Sequence, residues 1–268
     1  MASADGSLAV AAQSRIAVLL RAPKGPEDPY YNALSVAGFQ SVHFIPVLHY
    51  EHMNQDELQS DILSSDKFSG IVFTSGTAVE VCVSSLTEHE RGRVTERWKQ
   101  LPVFVVGKAT AQAVRGLGLS PTGSHSGNAE TLSKLIIEHF CPGVPTKPLL
   151  FPCGALRRET LPVALEGAGL PLKCLACYKT LPHPDLQGRL RELSPQAEVE
   201  SVWVVFYSPS GVNFALDCVL KTFKSGFKVA AIGATTGDSL SKAGRRPDAV
   251  AKLPNHDSLT EAILECCI

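Results

Sequence analysis

The sequence predicts an α/β protein of two lobes, each a parallel sheet flanked by helices. Three observations carry this expectation. Short apolar runs alternate with helix-like periodicity along the whole 268-residue chain. The strand signals number about nine or ten, many for one open sheet of ordinary size. Finally, Val72-Phe73-Thr74-Ser75-Gly76-Thr77-Ala78-Val79 looks like a second copy of Val205-Phe206-Tyr207-Ser208-Pro209-Ser210-Gly211-Val212.

Taken in order, Ile16-Ala17-Val18-Leu19-Leu20 is a short buried strand. Asp28-Pro29 offers an N-cap and a first-turn proline, and Gly38 closes that helix. Val42 to Leu48 reads as the next strand, with Pro46 inside it. Further strands are expected at Gly70 to Phe73, Val103 to Val106, Pro148 to Phe151, Leu172 to Cys177, Val202 to Phe206, Val229 to Ile232 and Ala249 to Lys252. Helical patterns fill the gaps. The one from Asn128 to Phe140 carries Leu132, Leu135, Ile136 and Phe140 on one face. The last helix is expected to start at Asp257-Ser258, with Glu261 completing a capping box with Ser258.

Two breaks divide this pattern, at Pro46 to Tyr50 and at Tyr178 to Pro184. A proline is tolerated at a strand's edge or end, so Pro46 marks where the chain leaves one lobe. Crossing twice makes the first lobe discontinuous, 14–48 plus 182–268, and leaves 49–180 as an inserted lobe. Residues 1–13, small and polar without an early basic cluster, read as a disordered extension rather than a targeting signal. A ligand is expected in the cleft between lobes, at the carboxyl ends of the strands.

Composition narrows the function. Apolar residues make up 44% and charged residues 19%, as in a soluble globular protein. The net charge of −1 argues against general affinity for nucleic acid or an anionic membrane. No stretch approaches the roughly 20 apolar residues of a spanning helix. Without a signal peptide, the eight cysteines point to a reduced cytosolic compartment. Cys174-Leu175-Ala176-Cys177 has metal or redox spacing, but it lacks a second pair and sits in an apolar run, which favours small buried side chains. The terminal Cys266-Cys267 pair reads as a surface feature of the last helix.

Phosphate-loop, dinucleotide-fingerprint, HExxH and Gly-x-Ser-x-Gly signatures are missing, and the histidines are scattered, His49 and His52 making only a loose pair. What remains is a set of hydroxyls where strands run into helices: Thr74, Ser75, Thr110, Ser208, Ser210, Thr235 and Thr236. Val106-Gly107-Lys108-Ala109-Thr110 matches Ile232-Gly233-Ala234-Thr235-Thr236 as a further pair. Helix starts carry backbone N–H groups without intrahelical partners and favour anions. Each hydroxyl alone reads as an N-cap of about 1 kcal/mol; the matched set favours a ligand with many negative groups. Arg157 and Arg158 either clamp a carboxylate bidentately or lie on a solvated helix face, and Lys108 carries the same ambiguity. Tyr178, at the end of an apolar strand, is either a proton donor at neutral pH or a packing aromatic.

In order and number, these segments resemble the uroporphyrinogen-III synthase family in its animal form: Asp28-Pro29-Tyr30, Ile45-Pro46-Val47-Leu48, Phe73-Thr74-Ser75, Val105-Val106-Gly107-Lys108-Ala109-Thr110-Ala111, Gly127-Asn128-Ala129-Glu130, Leu150-Phe151-Pro152-Cys153-Gly154, Tyr178-Lys179-Thr180, Ser208-Pro209-Ser210-Gly211 and Ala231-Ile232-Gly233-Ala234-Thr235-Thr236. The resemblance covers nearly the whole chain after about residue 15. It implies two lobes joined by a two-strand linker with the active site in the cleft. It implies hydroxymethylbilane, a linear tetrapyrrole with eight carboxylates, as substrate and no metal or organic cofactor. The implied reaction expels the ring A hydroxyl as water, forms an azafulvene, passes through a spiro intermediate and inverts ring D.

On that resemblance Tyr178 assists the departing hydroxyl, and Thr74, Ser75, Lys108, Thr110, Ser208, Ser210, Thr235 and Thr236 hold the substrate. One departure stands out: Gly76-Thr77 occupies the place where relatives often carry Pro-Arg, so that arginine contact is lost and Lys108 or Arg157 is left to replace it. Expected partners are the substrate and, transiently, hydroxymethylbilane synthase handing it over. Neither nucleic acid nor membrane is expected, and the chain is expected to be a cytosolic monomer. The competing reading is a non-enzymatic two-lobed protein that closes on a polycarboxylate without turnover; a sensor or scaffold is a third.

Overall fold

A computed structural model describes residues 14–141, 143–197, 201–224 and 226–266, with 194–197 described by their backbone alone. The expected extension at 1–13 and Cys267 lie outside the described residues. Along the chain the elements are β1 (Arg15–Leu19), α1 (Pro29–Val36), β2 (Ser41–Phe44), β3 (Leu48–His52), α2 (Gln55–Leu63), β4 (Gly70–Phe73), α3 (Gly76–Ser84), α4 (Glu88–Trp98), β5 (Val103–Val105) and α5 (Gly107–Gly116). Then come β6 (Pro121–Thr122), α6 (Ala129–Phe140), β7 (Leu149–Gly154), α7 (Thr160–Gly167), β8 (Leu172–Pro182), α8 (Leu186–Ala197), β9 (Ser201–Phe206), α9 (Pro209–Phe223), β10 (Phe227–Ala231), α10 (Ala234–Lys242), β11 (Ala249–Val250) and α11 (His256–Glu265).

The chain divides into two compact units, 1–49 with 181–268, and 50–180. The first holds a sheet of order β11-β10-β9-β1-β2, with every pair parallel. Buried on both faces, its strands read as apolar runs. Alternation sends Ile16, Val18, Val202, Val204 and Phe206 to one face, under Leu190, Val212, Val219 and Leu240. Ala17, Leu19, Trp203 and Val205 go to the other, under Leu34, Leu259 and Ile263 of α1 and α11. Asp28 caps α1 as the sequence predicts, accepting from the Tyr30 N–H at 3.1 Å. The same buried carboxylate pairs with Arg21, whose guanidinium lies over the rings of Tyr30, Phe44 and Tyr207.

The second unit holds the order β3-β8-β7-β4-β5-β6. The pairs β8-β7, β7-β4, β4-β5 and β5-β6 are parallel. Met53 N–H donates to the Cys177 carbonyl and Glu51 meets Lys179, so β3 runs antiparallel to β8. Ile71, Phe73, Val103, Val105 and Leu150 face α2 to α5. Val72, Phe104, Leu149 and Phe151 face Leu132 and Ile136 of α6 and Leu161 and Leu165 of α7. Burying each such leucine, isoleucine or phenylalanine contributes about 1.5–3 kcal/mol.

Three expected elements need correction. Val42 to Leu48 is not one strand: β2 ends at Phe44, β3 begins at Leu48, and the two belong to different sheets. Pro46 has no N–H to donate to a ladder, so the strand stops there. The strand expected at Leu172 to Cys177 continues to Pro182, because β3 supplies a partner for its second half. The capping box at Ser258 and Glu261 does not form. Asn255 caps α11 by accepting from Ser258 N–H, while the Ser258 hydroxyl accepts from Lys252 and Leu253 N–H. A capping box does close α4, where Thr87 and Glu90 exchange hydrogen bonds.

Candidate functional site

Tyr178 is set by its strand. It lies inside β8 opposite Gly154 of β7, where the register shifts between Cys153 and Gly154. A Cβ on Gly154 would lie 3.2–3.3 Å from three atoms of the Tyr178 ring and hydroxyl. The absence of a side chain there is what lets the ring settle against β7. Tyr50 packs edge-on against the ring at 5.6 Å. The Ala155 N–H donates to the Tyr178 carbonyl at 2.8 Å, fixing the following loop.

The Tyr178 hydroxyl reaches Ser75 Oγ at 3.0 Å. Ser75 follows β4 and caps α3, accepting from Ala78 N–H. Burial pushes the phenol up from its ordinary value, and the Ser75 hydrogen bond offsets part of that rise. The group is therefore a protonated donor at neutral pH rather than a base.

A cavity of about 330 Å³ opens at this point in the 50–180 unit. Tyr178, Thr74, Gly154, Arg157 and Arg158 line it together with Asn128 and Ala129 at the start of α6. Val106, Phe151, Leu156 and Leu161 supply its apolar part. Thr74, Val106 and Gly154 sit at or just beyond the carboxyl ends of β4, β5 and β7, the usual place for a ligand in such sheets. A larger depression of about 670 Å³, lined by residues of β2 and α8 in the other unit, contains none of the predicted hydroxyls.

The predicted set divides between the units. Thr74, Ser75, Lys108, Thr110 and Tyr178 lie in the 50–180 unit, and Ser208, Ser210, Thr235 and Thr236 in the other. Thr74, Ser75 and Tyr178 come together, two through the cavity wall and two through a hydrogen bond. Lys108 is exposed on the first turn of α5, whose start at Gly107 takes φ +76°. Thr110 and Thr236 are only 5% and 4% exposed, so they offer little surface to a ligand. Ser208 caps α9, accepting from Gly211 N–H at 3.0 Å, while Ser210 and Thr235 are exposed on first helical turns. Cys174 and Cys177 fall on opposite faces of β8, packing into different core clusters, so the pair does not converge. Sequence reasoning missed how Gly154, Tyr50 and Leu156 meet Tyr178: the β7–β8 register sets Gly154 opposite it, the β3–β8 pairing brings Tyr50 to its ring, and the loop after β7 carries Leu156 to the same cavity.

The fold and the strand-end site define a double-unit parallel α/β protein with a phenol donor, two arginines and capped helix starts. The model of the family described as uroporphyrinogen-III synthase HemD matches residues 28–261. The chain belongs to that family. It is 31% identical to the uroporphyrinogen-III synthase of Schizosaccharomyces pombe over 93% of this chain and 96% of that protein. To the Saccharomyces cerevisiae uroporphyrinogen-III synthase it is 27% identical over 92% and 94%. The crystal structure of uroporphyrinogen-III synthetase from Helicobacter pylori shares its fold with TM-score 0.62 at 16% identity, covering 94% of this chain and 99% of that one. That of a mutant uroporphyrinogen III synthase from Thermus thermophilus gives 0.58 at 19% identity, over 95% and 98%.

Proposed function

We propose that this chain cyclises hydroxymethylbilane to uroporphyrinogen III with loss of water and inversion of ring D. Family membership supports the reading, and one observation carries its chemistry: the Tyr178 hydroxyl, hydrogen-bonded to Ser75, lines a cavity that also holds two arginines.

In the first step the hydroxymethyl C–O bond breaks. The oxygen leaves with the Tyr178 proton as water, leaving a phenolate and the ring as an N-protonated azafulvene. The substituted carbon of ring D attacks it to form the spiro intermediate. Fragmentation and reclosure then give the inverted ring, and the proton lost as the pyrrole regains aromaticity returns to the Tyr178 phenolate. Burial keeps Tyr178 protonated until it is needed. The substrate is reactive by itself, so the donor's share of the rate is small. Regiochemistry is the harder task, because simple closure at the unsubstituted carbon gives the type I isomer. Holding the crowded carbon nearer is a positioning effect. Thr74, Ser75, Lys108, Thr110, Ser208, Ser210, Thr235 and Thr236, with the backbone N–H groups beside them, are assigned to the carboxylates, Thr110 and Thr236 through their helix starts.

The same reading takes the two units as the protein's two lobes, and takes the chain as a cytosolic monomer that receives substrate from hydroxymethylbilane synthase. No helix among the described residues is long and apolar enough to cross a membrane. The alternative of binding without turnover is not favoured by the family.

The test is an isomer assay with hydroxymethylbilane generated in situ, followed by oxidation and separation of uroporphyrins I and III. A type III majority scaling with protein concentration is expected. Type I alone, matching the protein-free control, would sink the reading.

A further inference from the structure

We propose that the cavity beside Tyr178 is a single-pyrrole subsite, read by Arg157 and Arg158 through the ring's carboxylate side chains. The inference rests on the tetrapyrrole reading above and says which part of that substrate this pocket takes.

Size sets the first limit. At about 330 Å³ the cavity is at the small end of ligand pockets, which run from about 300 to about 1,000 Å³. Four linked pyrroles with eight carboxylates exceed it; one ring with its acidic chains is the fitting unit. The lining matches such a ring. Val106, Phe151 and Leu161 offer an apolar surface to a flat heterocycle. Leu156 is 97% exposed on the loop after β7, an apolar side chain at the pocket with no packing role in the core. A seated ring gives it one.

Charge sets the second limit. Arg157 is anchored to Glu159 at 3.3 Å, yet its Nε is buried without a hydrogen-bond partner. A buried unpaired donor on a cation is costly, and a carboxylate oxygen would satisfy it. Arg158, exposed beside it, makes no ion pair or hydrogen bond among the described residues. Two adjacent guanidinium groups suit an acetate and a propionate on neighbouring ring carbons. Tyr178 forms part of the same lining, so the ring held here is the one whose hydroxyl it protonates.

The test combines kinetics with calorimetry. R157Q, R158Q and L156S are compared with the full-length wild type for KM and kcat in the isomer assay. A titration with 3-carboxymethyl-4-(2-carboxyethyl)pyrrole, and with its dimethyl ester, supplies the second readout. Expected results are a KM raised about tenfold or more in R158Q with kcat little changed, and one-to-one binding of the diacid that R158Q loses and the ester never shows. Arg158 and Leu156 are exposed, so their variants fold. If wild type makes type III while R157Q and R158Q keep its KM, the subsite is overturned although the synthase reading stands. If wild type makes only type I, the synthase reading falls and calorimetry alone decides: diacid binding lost in R158Q sustains the subsite, and no binding overturns it.

Discussion

Ser75 and Tyr178 meet hydroxyl to hydroxyl at 3.0 Å although 103 residues separate them in the chain. Ser75 already accepts from the Ala78 N–H as the cap of α3. One side chain therefore ends a strand, starts a helix and holds the phenol, which couples the stability of α3 to the position of Tyr178.

Tyr178→Phe keeps the ring against Gly154 and Tyr50 and removes only the hydroxyl. Turnover should fall about tenfold, below the usual 10²–10⁴ of general acid catalysis, because the substrate loses water readily. KM should hold. Steady-state kinetics identical to wild type would remove Tyr178 from the mechanism.

Ser75→Ala and Ser208→Ala each delete an N-cap and should each cost about 1 kcal/mol in urea unfolding. Both should raise KM, since both hydroxyls are assigned to substrate. Only Ser75→Ala should also lower kcat, through loss of the Tyr178 partner. Equal kcat for the two variants would reduce Ser75 to a cap.

Gly154→Ala places a methyl 3.2–3.3 Å from the Tyr178 ring and hydroxyl. The neighbour must yield, at an overpacking cost of about 1 kcal/mol or more. Stability and kcat should drop together. Unaltered activity with the alanine in place would show that the ring position is not critical.

Alkaline stability depends on the buried thiols. Burial pushes Cys153 up to about 11 and Cys177 to about 12, from 9.0. In the unfolded chain they ionise near 9.0, so above that pH the unfolded state binds fewer protons than the native state. Stability is full below that value and is lost as pH rises toward about 11 and about 12. Urea midpoints should fall between pH 9 and pH 11, and Cys177→Ala should flatten the slope. An unchanged slope in that variant would count against the thiol as the source.

Asp28→Asn tests the other unit. The carboxylate is 2% exposed and holds Arg21 along with the N–H groups of Lys24 and Tyr30. Neutralising it leaves a guanidinium facing three rings without its counter-charge, an expected loss of about 3–5 kcal/mol. A loss under 1 kcal/mol in denaturant unfolding would mean that water compensates Arg21.

The sequence by itself determined the α/β class, most strands and the caps at Asp28, Ser75 and Ser208. These are local properties: apolar run length, a proline at a first helical turn, a hydroxyl three residues before the N–H it receives. Thr74, Thr110, Ser210, Thr235 and Thr236, which read singly as caps too, are not, because the N-caps of α5 and α10 are Val106 and Gly233 and those of α3 and α9 are Ser75 and Ser208. It also determined the family, through short segments spread along the chain. Local signals failed where a distant partner decides. The chain around Pro46 reads as one strand because its residues are β-prone, yet its halves join different sheets. Ser258 has capping-box spacing, but Asn255 caps the helix three residues earlier, so Ser258 lies in the first turn and its hydroxyl turns back to Lys252 and Leu253. Only the tertiary structure decided that Gly154 makes room for Tyr178, that Ser75 holds its hydroxyl, and that Arg157 and Arg158 share its pocket. Strand register brings those residues together, and register follows from the packing of whole sheets rather than from any one segment.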